Sequence, residues 1–497
     1  MLLPPPSARP SSATLVRGLT LTAAISVIIA NTVGTGVFAK ARVMTCNVGT
    51  PEMVILVWVV AGLLSLAGAL TYGELAAMMP KAGGEVNYLT AAYGRRWGFL
   101  YGWMQLFVGK AGSQAAVAVF FADSLNDLAM GAMSAPLVSL GGWGLSGVQL
   151  AALGVLALAT ALNLASVRSG GTMATVLTAT KIALVVGVGV FALWLGHGST
   201  FGQSGVAGTC EGVSAGARLG LAGFSAAMLG ALWGYDGWNN LTLVAGEVKN
   251  PQRNLPRGLF LATLAVMAMY VFINVGYYFV MSPAEIASLP ASARVGTEVV
   301  RRLFGDGGAA FMSAALVVSS FATLHSSILS GSRVPYALAS EGLLPKAMAQ
   351  VNPKTHIPTW SVVLPGIWAG LLALSGKFDT LTDYMIFGGW VFYAVTIVAV
   401  FVLRRKHPDW ERPYKAWGYP VVPVLFLLVA GFLLLSTLTS AWPEMASGFQ
   451  ALGDGQVVAG LRAILGAPPV AGLLLIALGL PVYAYYARQQ ATRTPEG

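Results

Sequence analysis

The sequence has little charge and little cysteine. Asp, Glu, Lys and Arg make up 10% of its 497 residues, against about 25% in an average soluble domain, and 56% of the residues are hydrophobic. This composition excludes a soluble globular protein. The net charge of +10 is spread over many short connections, which favours membrane orientation and anionic lipid headgroups over nucleic acid as its partner.

Motifs of enzymes and ATP-driven pumps are also absent. The sequence contains no His/Cys/Asp cluster with metal-ligand spacing and no GxxxxGK[ST] loop. We therefore expect no enzymatic activity, no metal, no cofactor and no ATP drive. The two cysteines, Cys46 and Cys210, both fall in connections predicted to face outward; two isolated cysteines are not a disulfide framework, so a bond between them stays open.

Long apolar runs dominate the sequence. About 20 apolar residues in a helix cross the hydrocarbon core of a bilayer. Runs of that length, bounded by charges or by Gly and Pro clusters, predict an all-α integral membrane protein with twelve transmembrane helices. These spans are predicted at residues 19–44, 53–79, 97–125, 148–167, 172–195, 219–243, 259–281, 309–338, 359–376, 381–403, 421–438 and 469–486.

The Lys and Arg residues are unevenly distributed between the two sets of connections. Nineteen lie on the side of the termini and eight on the other side. The positive-inside rule then predicts a multi-pass protein of the plasma (inner) membrane with both termini cytoplasmic. Residues 1–18 and 487–497 would form the cytoplasmic tails.

Two of the predicted spans are interrupted halfway. Span one carries NTVGTGVF at residues 31–38, and span six carries WGYDG at residues 233–237. Interruptions in corresponding spans of two halves indicate an inverted-repeat transporter. We therefore predict a five-plus-five inverted repeat formed by residues 19–195 (spans one to five) and 219–403 (spans six to ten). Residues 421–486 would add spans eleven and twelve.

Glycine and threonine weaken a helix at these interruptions. A half-helix that starts after a break offers N–H groups to a carboxylate, and one that ends before it offers carbonyls to an ammonium group. The two breaks therefore predict a site for an amino acid zwitterion; for the glycines alone, close helix packing is the alternative. The predicted binding residues are Thr32, Val33, Gly34, Thr35 and Gly36 in span one, and Trp233, Gly234, Tyr235, Asp236 and Gly237 in span six.

Two side chains at the second break have alternative interpretations. Asp236 is a carboxylate near the bilayer centre, where a charge is costly. It could attract a cationic side chain or the substrate ammonium group, or it could cap the second half-helix. Trp233 could close over a bound ligand or simply pack in the core.

Two lysines and one histidine fall inside predicted spans. Lys181 lies about 13 Å into span five, where an ammonium group must be paired, neutralised or hydrated. Beside the unwound part of span one it would supply the fixed charge that sodium supplies in related architectures, which would make transport independent of sodium. Lys110 in span three has a predicted gating or hydrogen-bonding role. For His325 in span eight, a satisfied core histidine is favoured over a proton relay.

Five separated motifs, in order, resemble the L-type amino acid transporters of the amino acid–polyamine–organocation superfamily, and in particular its prokaryotic members. They are VGTGVF; YGELAAMMPKAGGEVNYL; ALWGYDGWNNL with EVKNPQRNLPRG; SRVPYALASEGLLP; and RPYKAWGYPVVPVLFL. The resemblance covers about residues 15–440. It implies the five-plus-five fold, alternating access and sodium-independent transport, typically by obligatory exchange.

The resemblance also implies roles for single residues. The substrate carboxylate would meet the N–H groups of Thr35 and Gly36, and its ammonium group the carbonyls of Thr32 and Trp233. Trp233 corresponds to the gating aromatic, and Lys181 falls where prokaryotic members carry a lysine instead of the sodium site. Trp233 with Asp236 looks like the eukaryotic exchanger of cystine and dibasic amino acids, but bacterial members that handle small neutral amino acids carry Asp there too.

One departure from the family concerns its partner subunit. Animal members join a glycoprotein heavy chain through a cysteine in the connection after span three, and residues 126–147 contain none. We therefore expect no disulfide-linked heavy chain.

The leading hypothesis is a sodium-independent exchanger of L-amino acids. Proton-coupled amino acid uptake, or antiport of polyamines or cationic amino acids through Asp236, is a close alternative. A transport-inactive membrane sensor of amino acids is an alternative from another class. The sequence leaves the choice among neutral, cationic and cystine substrates open.

Overall fold

A computed structural model of the protein describes residues 15–34, 36–140, 143–165, 167–374 and 378–491. Helices form almost all of its regular structure, which confirms the all-α class. Within these ranges the exception is a two-stranded antiparallel hairpin, β1 (Pro136–Leu140) and β2 (Trp143–Ser146), in the connection after span three. The sequence interpretation had no strand there.

Most helices of the first half build spans one to five. Span three is continuous because a π-helical turn, Gln105–Gly109, joins the helices Arg95–Met104 and Lys110–Leu128. In chain order the helices of the first half are α1 (Leu21–Thr32), α2 (Gly36–Ala39), α3 (Ala41–Val48), α4 (Pro51–Met78), α5 (Glu85–Tyr93), α6 (Arg95–Met104), α7 (Lys110–Leu128), α8 (Gly147–Asn163) and α9 (Val167–Leu195).

The remaining helices build spans six to twelve. The helix of span eight begins earlier than the predicted residue 309 and bends at Gly305, where φ is 70°. In chain order they are α10 (Gly220–Tyr235), α11 (Asn240–Leu243), α12 (Pro251–Val280), α13 (Pro283–Ala287), α14 (Val295–Gly331), α15 (Arg333–Ser340), α16 (Thr359–Ala373), α17 (Phe378–Lys406), α18 (Val421–Gly453), α19 (Val457–Gly466), α20 (Pro468–Ala477) and α21 (Gly479–Ala491).

Several helices begin at residues suited to capping. The Thr50 hydroxyl accepts the N–H of Met53 at 3.4 Å, and Pro51 occupies the first turn of α4. The Ser282 hydroxyl accepts a hydrogen bond from the Glu285 N–H, and the Glu285 carboxylate accepts one from the Ser282 N–H. These bonds satisfy N–H groups that a helix start leaves unpaired.

Eight helices among the described residues are long and apolar enough to cross a membrane. They belong to predicted spans one, two, five, seven, eight, ten, eleven and twelve. Spans four and nine are shorter apolar helices, α8 and α16. Span three consists of α6, the π-helical turn and α7, and span six is interrupted between α10 and α11. The multi-pass architecture is confirmed, whereas the count of twelve stays a prediction.

The packing of the helices repeats between the two halves. Helix α1 of span one contacts α12 of span seven, and α10 of span six contacts α4 of span two. Each helix of the second pair is five spans away from its counterpart in the first pair. The same relation links α1–α9 with α10–α17, α9–α12 with α17–α4, and α9–α14 with α17–α7. The broken spans also cross over, since α1 contacts α11 and α2 contacts α10. These pairs agree with a five-plus-five repeat.

One covalent bond ties the connection before α10 to the end of span one. Cys46 in α3 and Cys210 form a disulfide, 164 residues apart in sequence. This answers the question that the two isolated cysteines left open.

Candidate substrate site at the paired helix breaks

Span one is broken where its glycines and threonines cluster. Helix α1 ends at Thr32, Val33 leaves helical geometry with φ −75° and ψ 87°, and α2 begins at Gly36. Thr35 lies outside the described residues, so its predicted N–H contact with a carboxylate stays a prediction. The break frees the carbonyls at the end of α1.

Span six is broken at the predicted residues as well. Helix α10 ends at Tyr235, Asp236 is extended with φ −57° and ψ 140°, and α11 begins at Asn240. Gly237 has φ 105°, a conformation that costs glycine little and other residues much. The residue types at this break therefore explain where the helix stops.

The two breaks meet. A Cβ atom on Gly36 would lie 2.6 Å from the Cα of Gly234, so the backbones touch where both glycines lack side chains. A Cβ on Gly34 would lie 3.0 Å from the Thr323 hydroxyl of α14. The glycines thus allow three spans to converge on one point.

Tyr270 of α12 links the freed carbonyls of both breaks. Its hydroxyl lies 2.7 Å from the Thr32 carbonyl and 2.7 Å from the Gly234 carbonyl. Sequence reasoning missed this residue. The available signal was a tyrosine in the middle of an apolar span, where its hydroxyl needs a partner.

Lys181 satisfies other backbone groups of the first break. Its ammonium group donates to the carbonyls of Ala30 and Val33, both at 2.8 Å, and to the Thr323 hydroxyl at 2.5 Å. The side chain is 1% exposed. All three N–H donors are therefore used, and the lysine holds span one against α9 and α14.

Asp236 faces a tyrosine. Its Oδ1 atom accepts a hydrogen bond of 2.8 Å from the Tyr393 hydroxyl of α17. The first N–H groups of α11 find backbone acceptors instead, since Asn240 donates to Gly237 at 3.0 Å and Thr242 to Asn239 at 2.8 Å. This arrangement does not use the Asp236 side chain as a helix cap.

Lys110 contacts the first residue of α11. Its ammonium group donates to the Asn240 Oδ1 atom at 2.5 Å, and the residue is 8% exposed. The hydrogen-bonding role predicted for Lys110 therefore has a partner, the first residue of the second half-helix of span six.

A small cavity of about 20 Å³ lies between the breaks. This volume holds about one water molecule, which is less space than an amino acid needs. Two residues of α7, Ser113 and Val117, complete its wall and were not identified from the sequence. The cavity is lined by Asn31, Thr32, Gly34, Gly36, Ser113, Val117, Trp233, Asp236 and Thr323.

The other predicted site residues lie behind this cavity. Val33 gives its carbonyl to Lys181, and Gly234 packs on Gly36. The Tyr235 hydroxyl donates to the Trp58 carbonyl at 2.9 Å, and Gly237 packs on Asn31. These residues shape the breaks rather than face the cavity.

His325 fits the core interpretation. The residue is 1% exposed, its Nδ1 lies 2.9 Å from the Asn163 amide nitrogen, and its ring stacks on Phe321. Its neighbours on α8 and α14 give it a packing and hydrogen-bonding environment.

Comparison with known proteins finds relatives that are all named as amino acid transporters or exchangers. The serine/threonine exchanger SteT of Bacillus subtilis is 32% identical over 419 residues, which cover 84% of this chain and 90% of that protein. The human b(0,+)-type amino acid transporter 1 is 29% identical over 87% of this chain and 85% of its own length. The human large neutral amino acids transporter small subunit 2 is 30% identical over 94% of this chain and 80% of its own length.

These relatives confirm the similarity to L-type transporters that the five motifs indicated. The amino acid permease family itself matches residues 19–451, a range that contains both helix breaks and Lys181. Because the match extends over most of the chain, this protein belongs to the amino acid permease family.

Proposed function

We propose that this protein is a sodium-independent exchanger of amino acids that works by alternating access in the plasma (inner) membrane. The observation that carries the proposal is the meeting of two helix breaks at Gly36 and Gly234. Broken half-helices at mid-membrane present backbone groups of both signs, which is what a zwitterion needs. The substrate would lie against Thr32, Gly34 and Gly36 on one side and Trp233 on the other.

Lys181 supports independence from sodium. In related architectures, unwound backbone carbonyls coordinate the coupling ion. Here an ammonium group, covalently fixed to α9, occupies the carbonyls of Ala30 and Val33. Because this positive charge is part of the protein, no sodium ion has to bind at these carbonyls in each transport cycle.

The chemistry of the cavity favours small neutral amino acids. Its wall offers the hydroxyl groups of Ser113 and Thr323 and the short side chain of Val117. The Asp236 carboxylate already accepts the Tyr393 hydroxyl, which argues against a cationic side chain as its main partner. The relative named a serine/threonine exchanger points in the same direction, and the named relatives do not favour a polyamine antiporter or a sensor.

The organisation proposed for the chain follows the repeat. Residues 19–195 and 219–403 form the inverted units, residues 421–486 are an addition, and both termini are cytoplasmic by the distribution of basic residues. The protein works without a disulfide-linked heavy chain. This is supported because the chain has two cysteines and Cys46 and Cys210 bond to each other.

Reconstitution into liposomes tests the proposal. Vesicles loaded with unlabelled serine should accumulate labelled serine equally in sodium and choline buffers, and empty vesicles should accumulate little. Full uptake into empty vesicles would contradict exchange, and a sodium requirement would contradict the role of Lys181. Binding without any uptake would instead identify a sensor, and competition by putrescine would identify polyamine antiport.

A further inference from the structure

Glu85 is a buried acid that the proposed exchange does not use. It begins α5, outside the predicted spans, and is 0% exposed. Its carboxyl group accepts hydrogen bonds from the Asn239 amide and from the Thr242 hydroxyl, the latter at 3.2 Å, and Tyr101 bonds to it as well. All three partners are neutral groups.

Other buried acids of the protein are paired with arginine. Glu247 forms an ion pair of 2.7 Å with Arg333, and Glu74 pairs with Arg404 at 2.6 Å and with Arg412 at 3.5 Å. A buried carboxylate is costly unless a cation or several hydrogen bonds compensate it. Glu85 therefore differs from Glu247 and Glu74 in having no arginine at hydrogen-bond distance among the described residues.

A series of polar contacts connects Glu85 to the substrate cavity. Asp236 lines the cavity and accepts the Tyr393 hydroxyl, which also lies 3.4 Å from the Asn239 Oδ1 atom. The Asn239 amide nitrogen in turn donates to Glu85. We call Asp236, Tyr393, Asn239 and Glu85 the acid chain. It runs along the break of span six to α5.

Lys110 interacts electrostatically with both acids. Asp236 and Glu85 both interact with its charge, and its ammonium group donates to Asn240 beside them. With all three groups ionised, one positive and two negative charges leave the cluster with a net charge of minus one. One bound proton removes this excess.

The remaining ionisable groups around Glu85 do not supply the missing positive charge. Its electrostatic neighbours are the tyrosines Tyr72 of α4, Tyr88 of α5 and Tyr101 of α6, which are neutral near pH 7.

The cations of the adjacent helices are bound elsewhere or lie at the surface. Arg333 of α15 pairs with Glu247, and Arg404 of α17 pairs with Glu74. Lys406 donates to the Ala92 carbonyl and Arg95 to the Glu341 carbonyl, while Arg96 and Arg405 are exposed.

We infer that the cluster of Lys110, Asp236 and Glu85 binds one proton, which Glu85 holds while α11 is packed against α5. Burial raises the pKa of the Glu85 carboxyl above its ordinary value, although the bonds from Asn239, Tyr101 and Thr242 act in the opposite direction. When α11 moves away during the transport cycle, water reaches the carboxyl and the proton can leave. A rise in pH therefore favours the arrangement in which α11 is released.

Thermal unfolding of the purified protein tests this inference without any transport. The native protein holds a proton that the unfolded chain loses above the ordinary glutamate pKa of 4.5. Stability from Glu85 therefore falls as pH rises from there to the raised native pKa. We expect the melting temperature of wild type minus that of Glu85→Gln to decrease as the pH rises above the ordinary glutamate pKa of 4.5.

A difference that stays constant or grows with pH would overturn the inference, because Glu85 would then be ionised in the native state. Glu247→Gln is the matched control. It leaves Arg333 buried without its carboxylate, and should lower the melting temperature throughout the pH range.

Infrared spectroscopy covers the case in which Glu85→Gln does not fold. Wild-type protein with isotope-labelled glutamate should show the carbonyl band of a protonated carboxyl group at neutral pH. Absence of that band would overturn the inference. Because neither measurement needs transport, failure here leaves the exchange proposal intact.

Discussion

Tyr270 illustrates how a single hydroxyl group can hold two helix breaks together. In lipid, an unpaired backbone carbonyl has no water to compensate it. Tyr270 reaches one carbonyl of each break, those of Thr32 and Gly234. The arrangement of the two breaks thus involves a residue from span seven, outside both broken helices.

Tyr270→Phe should slow exchange and lower the melting temperature. Loss of a buried hydrogen bond costs about 1–3 kcal/mol when its partner is left unsatisfied, and 1.4 kcal/mol corresponds to about a tenfold change. Exchange by the variant in liposomes measures the effect. Tyr277→Phe is the matched control, because Tyr277 is buried in the same helix and its hydroxyl has no hydrogen-bond partner in the described part of the chain. Equal effects of the two changes would contradict the bridging role.

Lys181→Ala should lower turnover by at least about tenfold, with a smaller effect on expression, because it removes three buried hydrogen bonds from an ammonium group. Exchange rate per folded molecule is the measurement. Thr180→Ala, one residue earlier on an exposed position of α9, should behave as wild type. Unchanged exchange in Lys181→Ala would remove this lysine from the mechanism.

At the scale of elements, the breaks were predictable and the ends of several helices were not. Glycine and threonine weaken a helix locally, so residues 31–38 and 233–237 reveal both breaks in the sequence. By contrast, α18 continues to Gly453, well past the predicted end at residue 438. Apolar periodicity gives no sharp end where a helix leaves the membrane without a strong stop signal.

Gly36→Ala should abolish substrate binding, and Gly36→Val should do so more severely. A methyl group there would meet the Gly234 Cα at 2.6 Å, too close for any rearrangement of side chains to relieve. Substrate-dependent thermal stabilisation reports binding. Gly154→Ala is the control, because a Cβ at that helical position meets nothing within 4 Å. Normal binding by Gly36→Ala would contradict the convergence of the two breaks.

At the scale of the whole molecule, long-range bonds fix elements that are far apart in sequence. Contacts recur between pairs of helices displaced by five spans. The Cys46–Cys210 disulfide adds a covalent link across 164 residues. This link joins span one to the segment that enters span six, the two spans that carry the breaks.

Replacing both cysteines by serine should destabilise the protein by about 2–4 kcal/mol, because the unfolded chain regains the freedom of a long loop. Melting temperature with and without reductant is the measurement for wild type. The Cys46→Ser, Cys210→Ser double variant should melt at the temperature of reduced wild type and should no longer respond to reductant. An unchanged melting temperature after reduction would contradict a stabilising disulfide.

The sequence by itself determined the membrane class, the positions of most apolar helices and the two interruptions at Gly34–Gly36 and Trp233–Gly237. Those features depend on residues next to one another along the chain. Only the tertiary structure decided that Tyr270 joins the breaks, that Tyr393 faces Asp236, that Ser113 and Val117 line the cavity, and that Glu85 ends the acid chain. These partners come from different helices, and no local pattern of polarity records which buried hydroxyl or carboxyl will meet which backbone group.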